Sequence, residues 1–291
     1  MSASRISTII TLLAVVLPQT VLGAFVFTAP PREDAENGYL VYKPIADFLT
    51  QQTGEQFVYR QQNNWDDYVK DMRAEKYDLV FDGPHFVDWR VHNIKHRVIL
   101  KIPHLLQWRV IVGKNESSIT KVEDLVGKKT CAPGSPNFGM LNLFSHFPDE
   151  SKQPIHVEVK GWNHVFEGIK NGECVAGVLP KKNHEIYDKE GLYTKSIHTH
   201  LPYPNQAFTV SSRIPDALRD KIRKALLTDD GQKALENLRK RYTGGSKMVA
   251  AEDEEYDSIH SLLLKAKNFA SHNQTNESLD KRGTVNHLVS N

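Results

Sequence analysis

The sequence predicts an α/β protein of two lobes, each built on a parallel-type sheet, with a hinged cleft between the lobes. Short apolar strands alternate with helices along most of the chain. Two long extended segments, Arg97–Lys114 and Leu201–Ser212, interrupt this alternation. A second series of strands and helices lies between the two segments. We therefore expect the chain to leave lobe one, build lobe two and return, which makes a cleft suited to a small ligand.

The composition excludes several classes of protein. The chain has 291 residues, of which 40% are hydrophobic and 25% are charged, too apolar for a disordered protein and too polar for a multi-span membrane protein. Its formal net charge of +2 does not provide the basic surface of a nucleic-acid-binding domain, so we expect no nucleic-acid partner. Two cysteines are too few for a disulfide-dense scaffold or an all-cysteine zinc site.

Residues 1–24 are predicted to be a signal peptide. Arg5 supplies a positive start, Ile9–Leu17 is an apolar run, and Val21–Ala24 is a region of small residues. The apolar run is shorter than the roughly 20 residues of a membrane-spanning helix. We expect cleavage after Gly23 or Ala24 and a soluble, exported mature protein.

The predicted export affects how the two cysteines, Cys131 and Cys174, are interpreted. In an oxidising compartment two cysteines of one domain are plausible disulfide partners, and each lies beside a short β-like run. Because these runs are predicted to be neighbours in the sheet of lobe two, we expect a disulfide between them. The alternative is two buried free thiols.

Lobe one is assigned to residues 25–104 and 212–271. The helix over Tyr39–Thr53 has apolar residues at helical spacing and stops at Gly54. Residues 272–291 are polar and without periodicity, so we expect a mobile tail. The other predicted elements are strands Phe25–Ala29, Gln56–Tyr59 and Asp78–Phe81, and helices Asp66–Glu75, Phe86–Val91, Asp216–Leu226, Gly231–Tyr242 and Glu254–Phe269.

Lobe two is assigned to residues 105–211, including the crossing segments. Its predicted elements are strands Lys129–Ala132, His156–Val159 and Cys174–Leu179, and helices Pro136–Phe147 and Asn163–Asn171. The pair Ser135-Pro136 is typical of the cap and first position of a helix. The amides of Asn137, Phe138 and Gly139 would then form an anion site, although ordinary capping without a ligand is the alternative.

No strong enzyme motif is present in the sequence, and we expect neither a catalytic activity nor a cofactor. His198 and His200 offer two metal ligands, but a third ligand is not visible, so we expect no metal site. An exported enzyme that uses Asp82 and His85 as acid and base is a weaker alternative, since no nucleophile accompanies them.

Three segments together resemble a known family: Tyr42–Leu49, Tyr77–His85 and Ile214–Leu218. They are similar to segments of the periplasmic phosphate-, phosphite- and phosphonate-binding proteins of ABC transporters. The resemblance implies a type II periplasmic-binding fold that closes over a small oxyanion and delivers it, as a monomer, to a transporter permease. The alternative partner is a sensor histidine kinase.

The predicted ligand site departs from the family pattern. Trp65 and Trp162 stand where the family has a tyrosine and a histidine, Asp82 precedes the glycine, and two of three hydroxyls that wrap a phosphonate are missing. An acid beside two tryptophans repels a dianion and would suit a cationic ligand. The ligand can therefore be an anion or a cation, and we prefer the oxyanion. The predicted ligand-binding residues are Thr28, Trp65, Asp82, Gly83, His85, Ser135, Asn137, Phe138, Trp162 and Asn205.

Overall fold

The computed structural model describes residues 23–134 and 137–265. Most of the predicted signal peptide, Ser135 with Pro136, and the predicted tail at 272–291 lie outside the described residues. Within the described part of the chain, every helix is too short or too polar to cross a membrane.

Eleven strands form two sheets in this part of the chain. In chain order they are β1 Phe25–Thr28, β2 Phe57–Tyr59, β3 Leu79–Asp82, β4 Arg97–Lys101, β5 Trp108–Gly113, β6 Lys129–Ala132, β7 Ile155–Glu158, β8 Ala176–Pro180, β9 Thr194–Thr199, β10 Ala207–Val210 and β11 Val249–Ala250. A six-stranded sheet has the order β11-β4-β10-β3-β1-β2, and a five-stranded sheet has the order β7-β6-β8-β5-β9. These sheets are the centres of lobe one and lobe two.

The two-lobed α/β fold class is confirmed, but each sheet is mixed rather than parallel. The pairs β1–β2, β1–β3, β6–β7 and β6–β8 are parallel, as expected for βαβ units. Strand β10 is antiparallel to β3 and β4, and β5 is antiparallel to β8 and β9. Strands β5 and β10 are the first strands that the chain forms after each crossing, where it enters a sheet from the other lobe. Strand β10 belongs to lobe one, although the sequence interpretation placed it in lobe two.

Ten helices cover the sheets in the described residues. They are α1 Ala35–Thr53, α2 Trp65–Arg73, α3 Pro84–Ile94, α4 Phe138–Phe144, α5 Trp162–Lys170, α6 Lys181–Tyr187, α7 Asp216–Leu227, α8 Asp229–Ala234, α9 Glu236–Thr243 and α10 Asp257–Lys265. Helix α1 ends as predicted at Gly54, which has a φ of 78°. Helix α4 is shorter than predicted, and the predicted helix over Gly231–Tyr242 is divided into α8 and α9 at Leu235.

The two crossings form a short antiparallel ribbon between the lobes. The Leu106 amide donates to the Tyr203 carbonyl (2.8 Å), and the Tyr203 amide donates to the Leu106 carbonyl (2.9 Å). The Ile102 amide donates to the Gln206 carbonyl (2.9 Å) on the lobe-one side of this pair. In the described part of the chain, the two backbone links between the sheets run side by side, so bending at the ribbon can move one lobe against the other.

One apolar cluster extends across both lobes. Val87 of α3 and Val98 of β4 belong to the same buried cluster as Phe138 and Leu143 of α4 and Ile259 of α10. A separate cluster lies under α1 and includes Phe27, Tyr42, Phe81 and Phe208. Helix α4 of lobe two therefore packs on the α3–α10 side of lobe one.

The disulfide between Cys131 and Cys174 is confirmed, with Cα atoms 5.7 Å apart and 43 residues of separation in the sequence. Cys131 lies on β6, and Cys174 comes just before β8, the parallel neighbour of β6. The bond therefore ties two central strands of lobe two.

We expect reduction of this disulfide to lower the free energy of unfolding by about 2–4 kcal/mol, because the reduced unfolded chain gains loop entropy. Urea unfolding with and without dithiothreitol measures the difference. Two titratable thiols in the unfolded, unreduced protein would show instead that the bond does not form.

The buried His96 indicates that the stability of the fold depends on pH. Its side chain is buried, and burial, together with the charges of Arg90 and Arg213, holds the imidazole pKa well below 6.5. Thr209 Oγ1 lies 3.2 Å from its Nδ1. The unfolded chain therefore binds a proton below about pH 6.5 that the folded chain does not bind, and stability falls as the pH falls through this window.

The substitution His96→Gln should reduce this loss by at most about 1.4 kcal/mol per pH unit, the contribution of one proton. Urea unfolding between pH 5 and 8 compares the variant with the unsubstituted protein. Equal slopes for the two proteins would rule out His96 as the group responsible.

Candidate functional site

The two lobes meet where α3 and α4 begin. The His85 ring, in the first turn of α3, stacks on the Phe138 ring of α4 with centroids 5.4 Å apart and planes at 7°. Leu141 of α4 packs against an aromatic cluster of lobe one that includes Tyr68 and Phe86. The start of α3, directly after β3, is therefore the part of lobe one that faces lobe two.

Asp82 is the last residue of β3 and is fully buried. Its Oδ1 accepts hydrogen bonds from Arg32 Nη2 (3.1 Å) and from the Gly83 amide (2.6 Å). Its Oδ2 accepts from Arg90 Nη1 (2.9 Å) and from the Tyr68 hydroxyl. The acid that the sequence places beside two tryptophans is therefore paired with two arginines. The guanidinium groups of Arg32 and Arg90 and the carboxylate of Asp82 together carry one net positive charge.

Arg90 and Tyr68 complete the buried side of this cluster. The Arg90 side chain is fully buried on α3, and it also donates to the Tyr68 hydroxyl. Burial raises the pKa of Tyr68 well above 10, so its hydroxyl remains a neutral donor to Asp82. The Arg90 guanidinium lies 5.6 Å from the centre of the Tyr68 ring, a cation–π distance. Arg90 is fixed by its contacts with Asp82, the Tyr68 hydroxyl and the Tyr68 ring, and it has a structural role here.

Arg32 is the exposed member of the same cluster. It follows β1 and donates from Nη1 to Gln206 Oε1 (2.9 Å) as well as from Nη2 to Asp82. About a quarter of its side chain, 24%, remains exposed. A Cβ at Gly83 would lie 3.2 Å from Arg32 Nη2 and 3.0 Å from His85 Cε1, so the glycine allows both side chains to approach the start of α3.

The start of α3 adds a second positive feature. Gly83 caps this helix without a side-chain acceptor, Pro84 occupies its first turn, and the first turn contains no acidic residue. The dipole of this helix favours negative charge at its start, next to Arg32. Of the amides there, that of Gly83 already donates to Asp82 Oδ1, and those of Phe86 and Val87 donate to the Gly83 carbonyl. This combination was not predicted, because the sequence does not show that Arg32 reaches α3.

The anion site predicted at the start of α4 remains a prediction. Ser135 lies outside the described residues, and the helix cap is Asn137, whose Oδ1 accepts from the Met140 amide (3.2 Å). Gly139 packs so closely on the Trp108 ring that a Cβ would lie 2.7 Å from it. Asn137 and Gly139 therefore have a capping and a packing role at this helix start.

The other predicted ligand residues have partners of their own. Thr28 is buried and donates to the Arg60 carbonyl (2.7 Å), and Trp65 stacks on Phe86 at 6.1 Å. Trp162 packs edge-to-face on Trp108, and Asn205 Nδ2 donates to the His104 carbonyl (3.4 Å). The predicted residues that the structure brings together are Asp82, Gly83, His85 and Phe138. Sequence reasoning missed Arg32, Tyr68, Arg90 and Gln206.

The fold and this interlobe face define a two-lobed solute-binding protein. Residues 27–256 match the family described as the periplasmic substrate-binding protein of phosphonate ABC transporters. The match extends over most of the chain, and the chain belongs to this family. No curated protein matches the chain by sequence.

Solved structures show the same fold at low sequence identity. PhnD1 of Prochlorococcus marinus, in complex with methylphosphonate, is 16% identical with a TM-score of 0.63, covering 84% of this chain and 98% of that one. A Xanthomonas citri protein bound to ATP is 12% identical with a TM-score of 0.68, covering 86% and 98%. A binding protein of a Pseudomonas aeruginosa phosphonate transporter is 16% identical with a TM-score of 0.55, covering 89% and 97%. These likenesses establish the two-lobed fold.

The substitution Asp82→Asn should lower the free energy of unfolding by about 3 kcal/mol or more, because it leaves Arg90 buried without its countercharge. The matched control is Asp47→Asn, which breaks an exposed ion pair with Lys43 on α1 and should change stability by less than about 1 kcal/mol. Urea unfolding measures both variants. A similar small change in both would contradict the role given to the buried cluster.

Proposed function

We propose that this protein binds a small oxyanion of the phosphonate class at the interlobe face, with Arg32 as its anchoring cation, and presents it to an ABC transporter permease in the periplasm. The family supports the class of protein and its transport role. The position of Arg32 supports the proposed anchor, because its guanidinium is partly exposed beside the first turn of α3.

The charges around Asp82 favour an anion over a cation. A cationic ligand needs a carboxylate with free acceptor capacity, but Asp82 already accepts from Arg32, Arg90, Tyr68 and the Gly83 amide. An arriving anion meets one net positive charge and the dipole of α3. The oxyanion alternative of the sequence interpretation is therefore the one we retain.

The same contacts weigh against an acid–base enzyme built on Asp82 and His85. Asp82 is fully buried and both of its carboxylate oxygens already accept hydrogen bonds, so the carboxylate is not placed to contact a bound ligand. The family is a transporter component. We propose that the chain binds its ligand without chemical conversion, and that incubation with methylphosphonate leaves the ligand unchanged by phosphorus NMR.

Ligand capture is proposed to proceed by hinge motion at the ribbon between the lobes. The rings of His85 and Phe138 are stacked across the interlobe face. An anion that enters beside Arg32 therefore needs the two rings to move apart and then to pack together again once it is bound. Small-angle scattering with and without methylphosphonate should show a smaller radius of gyration when the ligand is bound. Identical curves at saturation would remove hinge closure from the mechanism.

The substitution Arg32→Gln should weaken binding of methylphosphonate, phosphite or phosphate at least about tenfold, since a charge-assisted hydrogen bond to an anion is worth about 1.5–3 kcal/mol. Isothermal titration calorimetry measures the dissociation constants. The matched control is Arg219→Gln, which removes a surface arginine paired with Asp216 and Asp220 on α7. Equal affinities for the Arg32 variant and the unsubstituted protein would exclude Arg32 as the anchor, and stronger binding of a cation than of any oxyanion would exclude the proposed ligand class.

A further inference from the structure

Three histidines of lobe two converge at a point that the anion site does not use. His146 follows α4, His198 lies on β9, and His200 follows β9 at the start of the second crossing. One nitrogen of each ring lies within 4.8 Å of those of the other two. The ring centroid of His198 lies 4.8 Å from that of His146 and 4.8 Å from that of His200. Tertiary structure thus supplies the third ligand that the sequence pattern His198-x-His200 lacked.

His200 gives this cluster an independent indication of a ligand. The residue is 4% exposed, and neither of its buried ring nitrogens has a hydrogen-bond partner among the described residues. Its backbone is held firmly, since its amide donates to the Trp108 carbonyl (2.9 Å) and its carbonyl accepts from Gln107 Nε2 (3.1 Å). A buried polar nitrogen without a partner is destabilising, and a bound ion would give one of the two His200 nitrogens a partner.

The geometry points to a site for one divalent transition-metal ion of the imidazole-binding class, zinc above all, with His146, His198 and His200 as its protein ligands. Zinc–imidazole bonds of about 2.0–2.1 Å place tetrahedral ligand nitrogens roughly 3.4 Å apart. The three ring nitrogens lie within 4.8 Å of one another, so binding requires them to move closer together. Three histidines leave a fourth position for water or another ligand.

The cluster brings together two segments of lobe two that are distant in the sequence. His146 lies in the turn after α4, and His198 and His200 lie at and just after the end of β9, which leads into the second crossing. A bound ion would therefore join that turn to the second crossing.

A second group, Asp88, His92 and His260, is a weaker candidate because its carboxylate and its two imidazoles already form ion-pair contacts with one another. His92 Nδ1 lies 3.0 Å from Asp88 Oδ1, and His260 Nδ1 lies 3.2 Å from Asp88 Oδ2. The two imidazole rings are stacked at 4.1 Å. These contacts explain how α10 is held on α3 without an ion.

The test compares metal binding by single variants of the full, chelator-stripped protein. Zinc chloride is titrated calorimetrically, and Co²⁺ is added in parallel because its visible absorption reports tetrahedral ligation. We expect the unsubstituted protein to bind one equivalent with the Co²⁺ signature, and His146→Ala to bind it at least about tenfold more weakly, as expected on loss of a ligand. His146 is partly exposed, so this variant should fold normally.

The control is His164→Ala, which removes an exposed histidine of α5 that belongs to neither cluster. This variant should bind zinc like the unsubstituted protein. The proposal is overturned if the unsubstituted protein shows no tetrahedral Co²⁺ spectrum, or if His146→Ala and His164→Ala bind zinc equally. If His260→Ala alone abolishes binding, the ion belongs to the second group and the proposal is wrong.

Discussion

The buried carboxylate of Asp82 is the constraint around which lobe one is arranged. A charge removed from water must be matched by nearby countercharges and hydrogen bonds, and Asp82 draws these from three separate elements. Arg32 comes from the loop after β1, Tyr68 from α2 and Arg90 from α3. The ends of these elements are therefore brought to one point. Because two arginines pair with one carboxylate, that point carries a net positive charge, and Arg32 is the less buried of the two arginines.

The same cluster connects the ligand site to the hinge. Arg32 also donates to Gln206, whose carbonyl accepts from Ile102 in the ribbon between the lobes. An anion that competes for the Arg32 guanidinium therefore acts on a side chain of the second crossing. The apolar cluster that extends from α3 to α4 favours contact between the lobes, since separating them exposes buried apolar surface. The oxyanion and this apolar surface would both stabilise the closed form.

Local patterns predicted most of the secondary structure because periodicity and end signals are properties of neighbouring residues. Helix α1, with its spaced apolar residues and its stop at Gly54, is the clearest case. Helix α4 was predicted too long, since Ser135-Pro136 resembles a cap while Asn137 makes the capping bond. The antiparallel placement of β5 and β10 depends on which sheet receives each crossing strand. No local pattern contains that information.

The sequence by itself determined the alternation of strands and helices, the two crossings, the family resemblance and the pairing of Cys131 with Cys174. Each follows from residue types read in order along the chain. Only the tertiary structure decided the character of the site, because charge compensation acts between residues far apart in sequence. The sequence shows Asp82 only as an acid, and it is the fold that places Arg32 and Arg90 beside it. For the same reason His198 and His200 lacked a third partner, since His146 joins them only when lobe two is folded.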